Sequence, residues 1–420
     1  MQILLMAQCY APEEVSGAVL ITELATDLVK RGHVVTVITG APSYPYGRVF
    51  KGYQNRLFSV ETLDGVRVIR TWSYISPSKE FWPRLFHYGT YSASAFFGGL
   101  VAEPPDVLVS FSPPLPLGLS AWLLSRIWRK PWVLQLEDLY PDAAVAAGVL
   151  RNKNIIDFFL KMEQFQYRHS QRISVISESF RNALLAKGVP GPQIKVIPVW
   201  ADPDEVRPMP KDNGFRHRHG LDNKFVVMYA GNVGLTSCLE DVLGAANILR
   251  AHNDIKIVIV GEGVKKEALE ADSRMGNLSN LLFLPYQNRE DFSEMLAAAD
   301  IGLVTLTPGA GFSSLPSKTF NIMASARPIL AVTPPEGEVA RLIRIAGCGW
   351  NVPPKSPRKL AEVILMLSAQ ESLLTQMGKN ARYHLEKYYA RNRCIDAYEK
   401  MLISLCTPTQ FKAAHIGEVP

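Results

Sequence analysis

Leu20-Ile-Thr-Glu-Leu-Ala-Thr-Asp-Leu-Val-Lys-Arg-Gly-His-Val-Val-Thr-Val-Ile-Thr-Gly40 holds the key to the architecture. Leu20, Leu24 and Leu28 recur at i, i+4 and i+8, the spacing of an amphipathic helix, and Gly32 ends it. Val34–Thr39 then runs apolar on both faces, as in a parallel sheet covered by helices on each side. A helix, a short link and a buried strand form the repeating unit of a doubly wound α/β sheet. The pattern continues outward with strand candidates Ile3–Ala7, Val66–Arg70, Val107–Phe111, Trp132–Leu136 and Ile173–Ile176. It stops at Lys195–Pro198, and a proline- and charge-rich linker candidate comes next, Val199–Asp222. It restarts with Phe225–Ala230, Ile255–Val260, Leu281–Leu284, Ile301–Thr305, Ile329–Val332 and Gly349–Val352. Beyond residue 357 only helical spacing remains. The expectation is two similar Rossmann-like α/β domains, 1–200 and 201–390. A helix over 391–406 would pack back on the first domain, and 407–420 would form a disordered tail.

A chain of 420 residues is too long for one ordinary core. With 47% hydrophobic and 20% charged residues it is globular in composition. The net charge of +6 favours anionic partners. No clustered basic face with interleaved aromatics argues for nucleic acid. Cys9, Cys238, Cys348, Cys394 and Cys406 are scattered without metal-ligand spacing, which fits reduced, buried thiols in the cytoplasm. Met-Gln-Ile-Leu-Leu-Met at the start lacks a basic n-region and reads as a strand, and no apolar run reaches membrane-span length. His217 and His219 lie in a basic run without acidic or thiol partners, so no metal role is expected for them.

Residues 311–330, Gly-Phe-Ser-Ser-Leu-Pro-Ser-Lys-Thr-Phe-Asn-Ile-Met-Ala-Ser-Ala-Arg-Pro-Ile-Leu, carry the main chemical signal. Ser317 reads as a helix N-cap after Pro316, which makes Lys318 one of the first helical residues. A cation there opposes the helix dipole. It becomes favourable if an anion sits at the helix start, held by backbone N–H groups and the lysine. A solvated surface lysine is the alternative. Doubly wound sheets bind ligands at the carboxyl ends of their strands. Three more loops lie there: Gln8–Ala18 with Gly17, Ala230-Gly-Asn-Val-Gly-Leu with Gly231 and Asn232, and Gly261-Glu-Gly263. Glycine lets backbone approach a phosphate, and Asn232 can donate to a phosphoryl oxygen; each loop also reads as a plain turn. Glu137 and Asp138 follow the strand Trp132–Leu136, where one carboxylate would serve as a base or orient an acceptor hydroxyl; a cap and turn is the other reading. Asp202-Pro-Asp204 has the form of a metal-binding DxD, but it lies in the linker and reads as a turn. Glu336 and Glu338 open a helix, where acids are favourable in any case. Two aromatic-rich segments, Phe81–Leu100 and Leu115–Lys130, read as core helices, or as helices lying in a membrane interface.

Taken together, Tyr10-Ala-Pro-Glu, Leu28–Gly40, Ser43-Tyr-Pro-Tyr-Gly, Leu63-Asp-Gly-Val-Arg-Val, Ser112-Pro-Pro-Leu, Asp138-Leu-Tyr-Pro-Asp, Val196-Ile-Pro, Tyr229-Ala-Gly-Asn-Val-Gly-Leu and Leu315-Pro-Ser-Lys resemble the retaining glycosyltransferases of family four. The resemblance covers residues 1–405 and is nearest the branch that assembles O-antigen and colanic acid. It implies the GT-B fold, with two Rossmann-like domains facing across a cleft and helices at the C-terminus. It implies a UDP- or GDP-sugar donor on the second domain and an acceptor, lipid-linked or saccharide, on the first. Lys318 and the backbone of Leu315, Pro316 and Ser317 would hold the diphosphate, approached by Gly231 and Asn232. Gly17, Gly261 and Glu338 would line the donor site, and Pro285, Tyr286 and Gln287 would hold the base. Asp138 would be the acceptor-side carboxylate. No cofactor and no metal are expected, the lysine and helix N-terminus taking a metal's place.

The sequence departs from the family pattern at three positions. Asn321 stands where a glutamate binds the ribose hydroxyls, Ser313 where the upstream glutamate would fall, and Ala326 where glycine is usual. Asn321 still accepts a hydrogen bond but without charge. The expected function is transfer of a sugar to a lipid-linked acceptor in surface-polysaccharide synthesis, by a cytoplasmic, membrane-peripheral enzyme. The alternatives are a soluble small-glycoside synthase and a non-catalytic GT-B scaffold that binds a nucleotide sugar or a partner transferase.

Overall fold

The computed structural model describes residues 1–78, 80–146, 148–311 and 315–406, without the side chains of residues 81 and 146. Ser313 and the expected tail from residue 407 lie outside the described residues.

The first sheet has eight strands: β1 (Gln2–Met6), β2 (Val34–Gly40), β3 (Phe58–Leu63), β4 (Val66–Thr71), β5 (Val107–Ser112), β6 (Trp132–Leu136), β7 (Arg172–Val175) and β8 (Ile194–Val196). Their order is β3-β4-β2-β1-β5-β6-β7-β8. The central strands are parallel, with Ile3 of β1 beside Val35 of β2 on one side and Val107 of β5 on the other. The strand and helix seen in Leu20–Gly40 are present, the helix spanning Ser16–Lys30. Two strands escape the sequence reading. The first, β3, pairs antiparallel with β4 through a turn at Asp64-Gly65, both at positive φ. An Asp-Gly pair between alternating residues is a hairpin signal, but β3 is half exposed and lacks the apolar run of a buried strand. The second, β8, is three residues long at the sheet's edge.

The second sheet holds β9 (Phe225–Ala230), β10 (Ile255–Val260), β11 (Leu281–Leu284), β12 (Ile301–Thr305), β13 (Ile329–Val332) and β14 (Gly349–Val352), in the order β11-β10-β9-β12-β13-β14. All its pairings are parallel. Val226 and Met228 bury into one core and Val227 and Tyr229 into another, so both faces of β9 are covered. That is why its sequence reads apolar without alternation.

Contacts divide the chain into two compact units. One comprises Met1–Gln135, Met162–Ser174 and the chain from Ile395 onward; the other comprises Leu136–Lys161 and Val175–Cys394. In the first unit, the helix Phe81–Val101 inserts Tyr91, whose buried hydroxyl donates to the carbonyls of Ala7 at 2.7 Å and Ile38 at 3.0 Å. One face of the helix is therefore core, while Trp82, Phe86 and Phe97 are exposed. In the same unit the last helix ties to the turn between the helix Ser16–Lys30 and β2: Glu399 pairs with Arg31 at 2.7 Å and with His33 at 2.8 Å. Cys238, Cys348 and Cys394 are buried, and burial pushes the thiols of the last two up to about 12. Cys9 and Cys406 are only partly buried, against the expectation that all five would be.

Candidate functional site

Strand order reverses between β9 and β12, and the carboxyl ends of those two strands define the switch point where open α/β sheets hold ligands. The loop after β9 begins at Gly231, with φ +146°, and its N–H donates to Val260 at 2.9 Å. A Cβ there would lie 2.8 Å from Lys318 Nζ. The loop after β10 begins at Gly261, with φ +147°, where a Cβ would lie 2.0 Å from the Gly231 carbonyl. Both backbone conformations strain any side-chain-bearing residue, and at Gly261 the neighbouring backbone leaves no room for one. The loops are joined again by the Val233 N–H, which donates to Glu262 at 2.9 Å. Beneath them the Tyr229 hydroxyl donates to the Asn232 carbonyl at 2.7 Å.

Lys318 arrives from the connection between β12 and β13, on the helix Ser317–Ala324. Pro316 occupies the cap position with φ −63° and ψ 139°, and no side chain caps the helix. Ser317 is thus the first helical residue and not the N-cap that its chemistry suggested. Proline fixes φ and its ψ is extended, so the chain turns into the helix one residue earlier than a serine cap would require. Lys318 Nζ lies 3.7 Å from the centroid of the Tyr229 ring. Among the described residues it has no salt-bridge partner, and the residue as a whole keeps some exposed surface. Burial lowers its amine to about 7, with no neighbouring carboxylate to oppose the shift. Taking an ammonium out of water without an anion is costly, and the ring face offsets only part of that. Among the described residues, the hydroxyls of Thr305, at the end of β12, and Thr319, beside Lys318, are buried without a hydrogen-bond partner. A buried cation, a helix start with no side-chain cap and a bare glycine backbone form a receptor for a polyanion.

The other expected residues are more dispersed. Asn232 is exposed, and Leu315 is buried under the start of the Lys318 helix. Asn321 lies one turn further along that helix, partly exposed. Pro285, Tyr286 and Gln287 come after β11; Tyr286 is 56% exposed, and Gln287 donates to the Pro285 carbonyl at 2.9 Å. Glu338 is buried as the first residue of the helix Glu338–Ala346, where it accepts the Ser179 N–H at 2.8 Å and lies 3.7 Å from Arg341. Glu336 sits in the preceding turn rather than in the helix. Gly17, second in the helix Ser16–Lys30, belongs to the other compact unit. The contacts described unite Gly231, Asn232, Gly261 and Lys318; they give none for Gly17 within that group.

Asp138 is exposed after β6, while Glu137 beside it is partly buried. Burial, and then the Asp138 charge, push the Glu137 carboxyl up to about 7. Asp202 serves as a turn: its carboxylate accepts the Asp204 N–H at 2.9 Å and pairs with Arg391 at 3.3 Å. Among the described residues no group of three His, Cys, Asp or Glu side chains is placed to hold a metal. Two residues carry more than the sequence suggested. Tyr229 reads as an ordinary buried strand position, and only the period-2 alternation that points it under the loop hints otherwise. Glu13 is buried and accepts the N–H groups of Ser43 at 2.9 Å and Tyr44 at 2.8 Å, joining the loops after β1 and β2.

Comparison with known proteins agrees with this geometry. Residues 17–200 match the family described as Glycosyl transferase 4-like domain, and residues 212–384 match Glycosyl transferases group 1. The chain is 32% identical to the glycosyltransferase WbjE of Pseudomonas aeruginosa over 69% of its length and 72% of that protein's. It is 29% identical to the colanic acid biosynthesis glycosyl transferase WcaI of Escherichia coli K12, over 77% of this chain and 81% of the other. The fold is shared with Anabaena HepE in complex with UDP, at a TM-score of 0.72 and 15% identity, over 96% of this chain and 100% of that one. The fold is GT-B, and the chain belongs to the family-four glycosyltransferases of the surface-polysaccharide type.

Proposed function

We propose that the protein is a retaining glycosyltransferase that takes a sugar from a nucleoside diphosphate donor. The buried Lys318 ammonium, without an anionic partner among the described residues at the start of its helix, carries this reading. A diphosphate there would accept from Lys318, from the first N–H groups of the helix and from the backbone at Gly231. The same groups would stabilise the leaving diphosphate as the glycosidic bond breaks, which a front-face, retaining displacement requires. Pro285, Tyr286 and Gln287 would take the base, Asn321 the ribose, Glu338 and Gly261 the sugar side, and Asp138 the acceptor hydroxyl. That UDP is held by Anabaena HepE, which shares this fold, supports the donor class. The lysine and helix start would supply the charge that a metal supplies elsewhere, so transfer would proceed without one. A thermal-shift screen of UDP- and GDP-sugars in excess EDTA tests both points, because binding raises apparent stability by mass action. No stabilisation by any sugar nucleotide would reject the donor reading; stabilisation only after adding manganese or magnesium would reject the metal-free one.

We further propose that the acceptor is lipid-linked and that the first unit touches the membrane surface. Among the described residues no helix is long and apolar enough to cross a membrane. The helix Phe81–Val101 exposes Trp82 at 58% and Phe86 at 63%, and the helix Leu117–Trp128 exposes Leu123 and Ile127 near Arg126 and Arg129. Trp122 belongs to the interior instead, its ring 4.9 Å from that of Phe165. Such binding would be weak and salt-sensitive, each basic residue contributing roughly 1 kcal/mol. Sedimentation with anionic vesicles at low salt tests it. No binding, or no effect of changing Trp82 and Phe86 to serine, would favour a soluble acceptor.

A further inference from the structure

We infer that Tyr229 is the positioning residue of the diphosphate site, setting the lysine and the glycine loop in register with one side chain. The inference rests on the donor reading given above. Tyr229 is the penultimate residue of β9, 1% exposed, and it packs within the core. Its face supports the Lys318 ammonium at 3.7 Å. Its hydroxyl, at the ring's far end, donates to the Asn232 carbonyl at 2.7 Å. Burial holds the phenol well above its ordinary value, so it remains a donor at every physiological pH.

These two contacts reach the two halves of the polyanion receptor. The lysine comes from the β12–β13 connection and the loop from the end of β9. Lysine is a flexible point charge with no fixed fork of its own, and a side chain with four rotatable carbons must be held to act at one place. Among the described residues no carboxylate holds it; the ring does. A carboxylate would neutralise the charge that the diphosphate needs, whereas an aromatic face orients the ammonium and leaves its charge available. On the other side, the Gly231 and Val233 N–H groups tie the loop to Val260 and Glu262, and the bond to the Asn232 carbonyl fixes the residue between them where Gly231 faces Nζ. Tyr229 does not itself reach a ligand in this arrangement. It acts through Lys318 and through the loop.

The test is calorimetric titration of UDP and of GDP into the full chain, with Tyr229→Phe, Tyr229→Leu, Lys318→Met and the Tyr229→Leu/Lys318→Met double variant. Thermal melts of each variant establish that it is folded. Tyr229→Phe keeps the ring and the packing and loses one hydrogen bond, so it should weaken nucleotide binding about fivefold. Tyr229→Leu loses the ring face too and should weaken it about 30-fold or more. The coupling is the decisive readout. In the Lys318→Met background, Tyr229→Leu should cost only the fivefold of the hydroxyl, because the ring has no ammonium to hold. A general packing role would cost the same in both backgrounds and would overturn the inference. So would unchanged or tighter binding by folded Tyr229→Leu, which would mean that the ring sequesters the lysine. If neither nucleotide binds the wild-type protein, or if Lys318→Met binds as well as wild type, the donor reading itself fails, and the inference with it.

Discussion

Lys318 and Tyr229 stand 3.7 Å apart, ammonium over ring centroid, with no acidic side chain among the described residues supplying the charge that a buried lysine ordinarily pairs with. The pair joins two distant parts of the sequence at the point where the second sheet reverses its strand order. Its energetics favour a state in which an anion is present, and most of the testable consequences stem from that imbalance.

Lys318→Ala should cripple turnover while leaving the fold intact. Loss of one charged contact to a developing diphosphate should cost roughly 2–4 kcal/mol, about 10²–10³ in rate. Removing a buried cation that lacks an anionic partner should not lower the melting temperature. A folded Lys318→Ala protein with near-normal transfer would refute the assignment, as would a variant that is simply unfolded.

Nucleoside diphosphate binding should take up a proton at alkaline pH. In the free protein burial holds the Lys318 amine at about 7, so near pH 8.5 it is largely neutral. The bound diphosphate favours the ammonium, and phosphate itself is already ionised above a second pKa of about 6. Affinity should therefore be greatest between about pH 6 and 7, where the diphosphate is ionised and the amine still holds its proton, and fall by up to about tenfold per pH unit as pH rises above 7. Calorimetry in buffers of different ionisation enthalpy should show close to one proton taken up near pH 8.5. Lys318→Arg should abolish the uptake, because arginine never loses its proton. Uptake that persists in Lys318→Arg would assign it to another group.

Glu137→Gln should stabilise the protein above neutral pH. The folded-state carboxyl titrates at about 7 against an ordinary 4.5, so the folded protein holds this proton more tightly than the unfolded chain. The associated stability is complete below about pH 4.5 and is lost as pH rises through about 7. Replacing the acid by its neutral isostere should leave stability near pH 4.5 unchanged. At pH 8 it should raise stability by roughly 1–3 kcal/mol, allowing for the exposed part of the side chain. Urea midpoints at the two pH values measure this. Equal midpoint shifts at both would show that Glu137 is not titrating in that range.

Asn321→Glu should tighten donor binding. Asn321 is partly exposed one turn beyond Lys318, and among the described residues no hydrogen bond is seen from its side chain. A carboxylate there would accept charge-assisted bonds from ribose hydroxyls, about twice as strong as neutral ones. Titration of UDP and GDP into the variant decides the matter; markedly weaker binding would give Asn321 a role of its own.

Much of the architecture is legible in the sequence because parallel strands buried on both faces must be apolar throughout. Phe225–Ala230, Ile255–Val260, Ile301–Thr305 and Ile329–Val332 coincide with β9, β10, β12 and β13 for that reason, and Leu281–Leu284 and Gly349–Val352 coincide with the edge strands β11 and β14, which are only partly buried. The half-exposed β3 and the short edge strand β8 lack that signature, and periodicity does not find them. Lys318 stands out locally because a cation conflicts with the helix start that its neighbours encode. Its partner does not stand out. Tyr229 is 89 residues away by number and looks like any buried strand residue; only the β9–β12 switch point brings its ring under the ammonium. The same holds for the helix cap. Serine chemistry favours Ser317, but the backbone angles of Pro316 set the first turn. Periodicity and composition act along the chain and determine which segments become strands and helices. The state of a charge depends on what surrounds it in three dimensions. Whether Lys318 is solvated or buried near pKa 7, and whether Glu137 differs from Asp138, is therefore decided only by the tertiary structure.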